Sequence, residues 1–325
     1  MTRARAVFFT SHGTEIRNYI TTFCPKEIDL VFGDLDLPDA EKIKLLSGAE
    51  YCLVHPAFLS DEVLRKSRHI KLIQLYSAGY DGINLPLARE LGIPVANNGG
   101  ANSISVAEHA VLLMLAVYRD LVHQVQNART GRWRDLEATT LSCFELAEKT
   151  VGILGMGNIG QQLAKRLKGF DVTAQYYDKY VALPADRERE LGLKKVSLEE
   201  LCRTSDVISI HIPLTSETRH IIGAQQLAMM KPTAILVNTS RGGVVDQKAL
   251  YQALKEKRIA AAGLDVLDPE PFDISDPIFK LDNVIITPHS AGFVFDSYKR
   301  RSINAFQNIQ RVMEGKEPMW IARFT

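Results

Sequence analysis

The sequence predicts an α/β protein in which parallel sheets are covered by helices and the chain forms two domains. Three observations carry this. Short apolar runs alternate with helix-patterned segments along most of the chain. The 325 residues are enough for two separate cores. A glycine turn, Gly155-Met156-Gly157-Asn158-Ile159-Gly160, links an apolar strand to a helix and opens the second half.

The elements follow in order. RAVFFT reads as a strand, IRNYITTF as a helix, IDLVFG as a strand and DAEKIKLLSGA as a helix. YCLVH is a strand, and SDEVLRKS a helix opened by Ser60 with acids in its first turn. IKLIQLY, the turn SAGYDGIN, the helix LPLARELG and the strand IPVANN complete the first hundred residues. A long apolar helical stretch, SVAEHAVLLMLAVYRDLVHQVQNARTGRW, comes next and is expected to pack across domains or subunits. His109 within it reads as a packed structural histidine. Residues 133–146 read as a connection. Beyond them VGIL, the glycine turn and QQLAKRLKGF form strand, turn and helix, followed by the strand VTAQYYD. The helices ADRERELGL and SLEELCRTS come next, the latter capped by Ser197 with Glu200 three residues on. DVISIH, AILVN, AAAGLDV and NVIIT are strands, separated by helices around AQQLAMMK and VVDQKALYQALKEKR.

Composition narrows the function. Hydrophobic residues at 46% and charged residues at 24% are ordinary for a globular protein. A net charge of +1 provides no field for nucleic acid or a membrane surface, so a small molecule is the expected partner. The apolar run at residues 110–117 is too short to cross a bilayer, and that in MTRARAVFFTSHG too short for a secretory signal. Cys24, Cys52, Cys143 and Cys202 are far apart without a CxxC pair, which suits reduced thiols in the cytoplasm. The histidines show no ligand spacing, so no metal is expected.

In a dinucleotide-binding unit, Gly155 permits the tight turn, Gly157 lets the backbone approach a pyrophosphate, and Gly160 lets helix and strand pack closely. Such a turn can also be purely structural. Asp178, eighteen residues after Gly160 at the end of the next strand, adds weight. Its carboxylate suits ribose hydroxyls and repels a 2′-phosphate, favouring NAD over NADP, a preference that Lys179 would soften.

Polar residues gather after later strands. Thr239-Ser240-Arg241 follows AILVN; Asp265 lies in AAAGLDV, with Glu270 beyond it; His289 and Gly292 follow NVIIT. Carboxyl ends of neighbouring parallel strands share one crevice, so these groups can meet. Reducing a 2-keto acid requires a proton donor beside the carbonyl and a fixed positive charge on its oxygen and carboxylate. His289 suits the first role and Arg241 the second, with Glu270 orienting the imidazole. Each alone could equally be a surface arginine, a loop acid or a satisfied histidine. In the first half, Ser77-Ala78-Gly79 follows a strand and its amides could hold a carboxylate, or it is only a turn. Asn102 is a substrate contact or a helix cap.

GMGNIG, Asp178, HIPLT, NTSRGGVVD, GLDVLDPEP and TPHSAG together resemble the D-isomer-specific 2-hydroxyacid dehydrogenase family, with SAGYDGIN and SVAEHA extending the likeness across the chain. The resemblance implies a Rossmann-type doubly wound parallel sheet domain, residues 101–290, inserted into a flavodoxin-like α/β substrate domain, residues 1–100 plus 291–325. It implies hydride transfer between NAD(H) and C2 of a D-2-hydroxy or 2-keto acid in the cleft between domains, and a homodimer built on the helix over 105–119. The family pattern makes Arg241, Glu270 and His289 catalytic and gives the substrate Ser77, Ala78, Gly79 and Arg241. It gives the pyrophosphate Asn158 and Ile159, the ribose Asp178, and the nicotinamide end Pro213, Thr239, Arg241 and Asp265; Ser240, His289 and Gly292 complete the expected cofactor contacts. Phe58, Tyr76, Tyr80 and residues 293–297 are expected to shape the substrate pocket. Formate dehydrogenases resemble this chain in HPAF and GANSISVAEH, but carry glutamine where Glu270 stands. A non-catalytic NAD(H)-sensing corepressor on the same scaffold would lack the Arg, Glu and His set. Ending at Thr325, the chain is also expected to lack the C-terminal regulatory domain of many phosphoglycerate dehydrogenases.

Overall fold

The computed structural model describes residues 3–134 and 142–322, so 135–141 of the expected connection lie outside it. The chain divides into two compact units, one of residues 1–102 and 293–325, the other of residues 103–292.

The first unit carries β1 (Ala4–Thr10), β2 (Ile28–Gly33), β3 (Tyr51–His55), β4 (Leu72–Leu75) and β5 (Val95–Ala96), all parallel, in the order β2-β1-β3-β4-β5. That order is the flavodoxin-like one. Four helices lie between the strands: α1 (Thr14–Thr21), α2 (Asp39–Leu46), α3 (Asp61–Lys66) and α4 (Leu85–Glu90). Ser60 caps α3 by accepting the Val63 amide at 3.2 Å, as its position before two acids predicts. A further helix in this unit, Phe295–Met313, has no counterpart among the expected elements. It buries Tyr298, Ser302, Ala305, Phe306 and Ile309, a 3.6-residue repeat, against one face of the sheet. Its polar side chains are bonded: Tyr76 Oη lies 2.6 Å from Ser302 Oγ, and Asn308 donates to Gln74 Oε1 at 2.7 Å.

The second unit begins with α5 (Ser103–Tyr118) and α6 (Leu121–Arg129). The sequence predicts one continuous helix here, but Asp120 takes a left-handed conformation with φ 46° and breaks it. Aspartate tolerates that region better than most residues. Within the stretch expected to pack across domains or subunits, one face of α5 lies in its own unit. Ala107, Ala110, Leu113, Met114 and Tyr118 are buried in this unit's own core, where α5 lies on β10, β11 and the helix after the glycine turn.

Seven parallel strands follow: β6 (Thr150–Leu154), β7 (Thr173–Tyr177), β8 (Leu193–Lys195), β9 (Val207–Ile210), β10 (Ile235–Asn238), β11 (Ala261–Leu264) and β12 (Val284–Ile286). Their order is β12-β11-β10-β9-β6-β7-β8, the Rossmann order with a seventh strand added beyond the sixth. Apolar clusters cover both faces. The edge strand β8 was not expected from the sequence. The remaining helices are α7 (Asn158–Leu167), α8 (Ala185–Leu191), α9 (Leu198–Thr204), α10 (Ala224–Met229) and α11 (Gln247–Lys255); the C-terminal helix of the first unit is α12. α7 buries Leu163, Ala164 and Leu167; a fully buried leucine side chain is worth roughly 1.5–3 kcal/mol. α11 starts three residues later than its apolar pattern suggests, because the Asp246 carboxylate accepts the Ala249 amide at 3.1 Å and caps it. Among the described residues no helix is long and apolar enough to cross a membrane.

Candidate active site

The carboxyl end of the seven-stranded sheet carries the site, and the reversal of strand order between β6 and β9 opens a crevice there. After β6, Gly155 sits at φ +104°, where an added Cβ would come within 2.7 Å of the His211 carbonyl oxygen. Its N–H donates to the Tyr177 carbonyl at 2.9 Å, tying the turn to β7. Gly160, in the first turn of α7, lies so near the Gly155 carbonyl that any side chain would fall on that oxygen. Gly157, the N-cap, is different: a Cβ there meets nothing within 4 Å. Asn158 and Ile159 open the helix beside it. The first amides of a helix have no partner within it, so this open approach fits a pyrophosphate.

Asp178 stands at the end of β7 and braces the same turn. Its Oδ2 accepts the Met156 amide at 2.8 Å, and its Oδ1 accepts the amides of Tyr180 and Val181, each at 2.8 Å. A carboxylate has about four acceptor sites, so capacity remains for a ribose hydroxyl. Exposed Pro213 follows β9, and its carbonyl accepts the Thr218 hydroxyl at 2.6 Å.

β10, β11 and β12 end side by side, with Asn238 opposite Leu264 and Leu264 opposite Ile286. Arg241 follows β10. Asn238 holds this corner by donating to the Arg241 carbonyl at 2.9 Å and accepting the Ser240 amide and hydroxyl at 3.0 and 2.8 Å. Thr239 and Ser240 are buried beneath it. The next residue, Gly242, packs on the backbone of Leu267 and Asp268, which brings the Arg241 corner against the loop that carries Glu270. His289 follows β12 at φ 50°, with Nδ1 2.7 Å from Glu270 Oε2. Both side chains are partly exposed. The contact occupies Nδ1 and leaves Nε2 outside it.

Asp265 organises this end. It is fully buried, and its carboxylate accepts the Thr287 hydroxyl at 2.6 Å, the Ser290 amide at 2.9 Å and the Ala291 amide at 3.0 Å. Its backbone carbonyl accepts the His289 amide at 2.8 Å. The loop from Thr287 to Ala291, with Gly292 next, is therefore wrapped around one carboxylate. His109 joins from α5, with Nε2 3.0 Å from Thr287 Oγ1 and 3.5 Å from Asp265 Oδ1. It is a packed histidine that also supports this loop.

His211, absent from the expected set, lies under the crevice with Nε2 2.8 Å from Ser209 Oγ. Burial lowers its pKa to about 3, so the ring is neutral at pH 7. Its place in HIPLT, directly after a strand, was the available signal.

Ser77, Ala78, Gly79 and Asn102 belong to the first unit. There the Ser77 hydroxyl donates to the Gly79 carbonyl at 2.8 Å, and the Ser77 carbonyl accepts the Asn98 amide at 3.0 Å. Among the described residues the amides of Ala78 and Gly79 donate to no protein acceptor. Asn102 Oδ1 accepts from Asn98 Nδ2 at 3.2 Å. Of the expected pocket residues, Tyr76 is buried and bonded to α12, whereas Phe58 and Phe293 are exposed.

Comparisons with known proteins identify the family of the chain. A family model described as "D-isomer specific 2-hydroxyacid dehydrogenase, NAD binding domain" matches residues 111–291. The chain is 39% identical over 288 residues to a glyoxylate reductase of Korarchaeum cryptofilum, covering 87% of this chain and 86% of that protein. It is 37% identical over 272 residues to a hydroxypyruvate reductase of Thermotoga maritima, covering 83% and 86%. Among solved structures, an acyclic imino acid reductase in complex with NADPH and D-Arg matches with a TM-score of 0.86 at 28% identity, over 98% of this chain and 100% of that one. With a dinucleotide turn, a Rossmann strand order and an Arg, Glu and His set at adjoining strand ends, the chain belongs to the D-isomer specific 2-hydroxyacid dehydrogenase family of oxidoreductases.

Proposed function

We propose that the protein interconverts a small 2-keto acid and its D-2-hydroxy acid with NAD(H), and that His289 moves the proton. The observation that carries this reading is the 2.7 Å contact between His289 Nδ1 and Glu270. It fixes the ring and its tautomer and leaves Nε2 for the substrate oxygen. When bound, NADH supplies the hydride that reduces C2. Gly157, Asn158 and Ile159 would hold its pyrophosphate, Asp178 its ribose, and Pro213, Thr239, Ser240, Asp265 and Gly292 its nicotinamide end.

The side chains do the rest. The Arg241 guanidinium polarises the keto oxygen and clamps the carboxylate. On the first unit, Ser77, Ala78, Gly79 and Asn102 are the further substrate residues that the family pattern gives, and the Ala78 and Gly79 amides are of a kind that suits a carboxylate. Protonated His289 gives its Nε2 proton to the oxygen as negative charge develops there, and in oxidation the neutral ring takes that proton back. Glu270 supports this chemistry over formate oxidation, in which no hydroxyl proton moves. The intact Arg241, Glu270 and His289 set likewise supports an enzyme over a sensor.

The named relatives make glyoxylate and hydroxypyruvate the first substrates to try. Asp178 favours NADH over NADPH, because a carboxylate repels a 2′-phosphate. A cytoplasmic homodimer fits the reduced thiols and the exposed Leu112, Leu121, Val122 and Val125 on α5 and α6. Loss of reduced-cofactor absorbance should be followed across a panel of 2-keto acids with NADH and NADPH separately, with formate and NAD as control. Turnover of a keto acid with NADH supports the reading; turnover of formate alone, or no turnover with NADH still binding, overturns it.

A further inference from the structure

We propose that Glu217 sets the choice between the two nicotinamide dinucleotides by engaging the Lys179 ammonium, which would otherwise be available to a 2′-phosphate. The inference rests on the reading of Asp178 as the ribose contact. Lys179 follows Asp178 directly, so a cation stands one residue from the group that excludes the phosphate. Taken alone, that cation would weaken the exclusion. In the fold it is engaged: Lys179 Nζ donates to Glu217 Oε2 at 2.8 Å. The same carboxylate oxygen accepts the Tyr180 hydroxyl, and Lys179 Nζ lies 5.3 Å from the centre of the Tyr180 ring. Glu217 comes from the segment after β9 and the other two from the segment after β7, so the contact joins two strand ends on the nucleotide side.

The charges show what this does. Asp178 and Glu217 contribute two negative charges and Lys179 one positive, a local balance of −1 against a dianionic phosphate. Removing the Glu217 charge brings the balance to zero and releases the only cation of the three. The hydrogen bond from Lys179, followed by that from Tyr180, holds the Glu217 carboxyl below its ordinary range, so it is charged at neutral pH. Side-chain exposures of 57% for Lys179 and 53% for Glu217 mean that the pair contributes little to stability. Glu217 is therefore a positioning residue whose removal leaves the fold intact, and its influence is a field that salt screens. The match to a structure holding NADPH indicates that the scaffold itself does not bar a 2′-phosphate.

The test measures dissociation constants of NADH and NADPH by titration calorimetry, together with kcat/KM for each, in wild type, Glu217→Gln, Lys179→Ala and the double variant. Glu217→Gln is expected to tighten NADPH by about tenfold while NADH stays within about twofold. The gain should vanish in the double variant and shrink at about 0.5 M salt. An NADPH affinity unmoved in Glu217→Gln, or a gain that survives loss of Lys179, overturns the role of Glu217 alone. A wild-type protein that prefers NADPH overturns the Asp178 reading beneath it.

Discussion

The two ends of the crevice are built differently. At the nucleotide end the groups are mostly backbone: a turn, a helix N-terminus and one carboxylate, all within residues 155–178. At the end given above to the chemistry they are side chains in the segments after three strands, Arg241, Glu270 and His289, held by Asn238 beneath the arginine corner and Asp265 beneath the histidine loop. A backbone site is damaged by adding atoms and a side-chain site by removing them, so the two ends should fail in different ways.

The largest effect belongs to the chemical end. His289→Gln should lower kcat for keto acid reduction by about 10³-fold, because a positioned acid contributes 10²–10⁴. NADH affinity, by calorimetry, should change by less than about threefold, since His289 adjoins only the nicotinamide end and the pyrophosphate and ribose contacts are untouched. Equal loss of binding and turnover would break the division between the ends. The next effect is the converse. Gly160→Ala places a methyl on the Gly155 carbonyl, and neither backbone yields cheaply. It should cost about 1–3 kcal/mol in urea unfolding and weaken NADH strongly, while the Glu270–His289 contact survives. Wild-type stability and affinity in that variant would show that the close approach is not needed.

The smallest effect sharpens the comparison at its midpoint. His211 is buried neutral, with a folded pKa near 3 against 6.5 in the unfolded chain. A depressed pKa means that the unfolded state binds the extra proton, so its stabilisation is full above pH 6.5 and is lost as pH falls from there towards 3. Between about pH 7.5 and about pH 5 the loss from this ring is on the order of 2 kcal/mol. Urea midpoints at the two pH values should converge more in His211→Gln than in wild type; identical pH slopes would mean that the ring is not held neutral.

The same contrast explains what the sequence made legible. The glycine turn and Asp178 could be read because their partners are neighbours in the chain, and the strands because apolar runs between turns are local. Arg241, Glu270 and His289 stood out as polar groups just after strands. The bracing stayed hidden. Asp265 binds groups 22 to 26 residues away, and nothing in GLDV announces Thr287, Ser290 or Ala291 as its partners. Glu217 pairs with Lys179 across 38 positions. α12 escaped because its buried face mixes Arg301, Ser302 and Asn308 with Tyr298, Phe306 and Ile309, which blurs an apolar stripe. The break between α5 and α6 turns on the φ of Asp120 alone, and β8 is a three-residue edge.

The central claim is that hydride passes between the cofactor and C2 of a keto acid at this crevice. Its most direct test is reduction of the best keto acid that gives a chiral product, hydroxypyruvate rather than glyoxylate among those named, with NADH fully deuterated at C4 of the nicotinamide, followed by mass and chiral analysis of the product. The account predicts one deuterium on C2 of a D-2-hydroxy acid. A product without deuterium at C2, or of the opposite configuration, would contradict it.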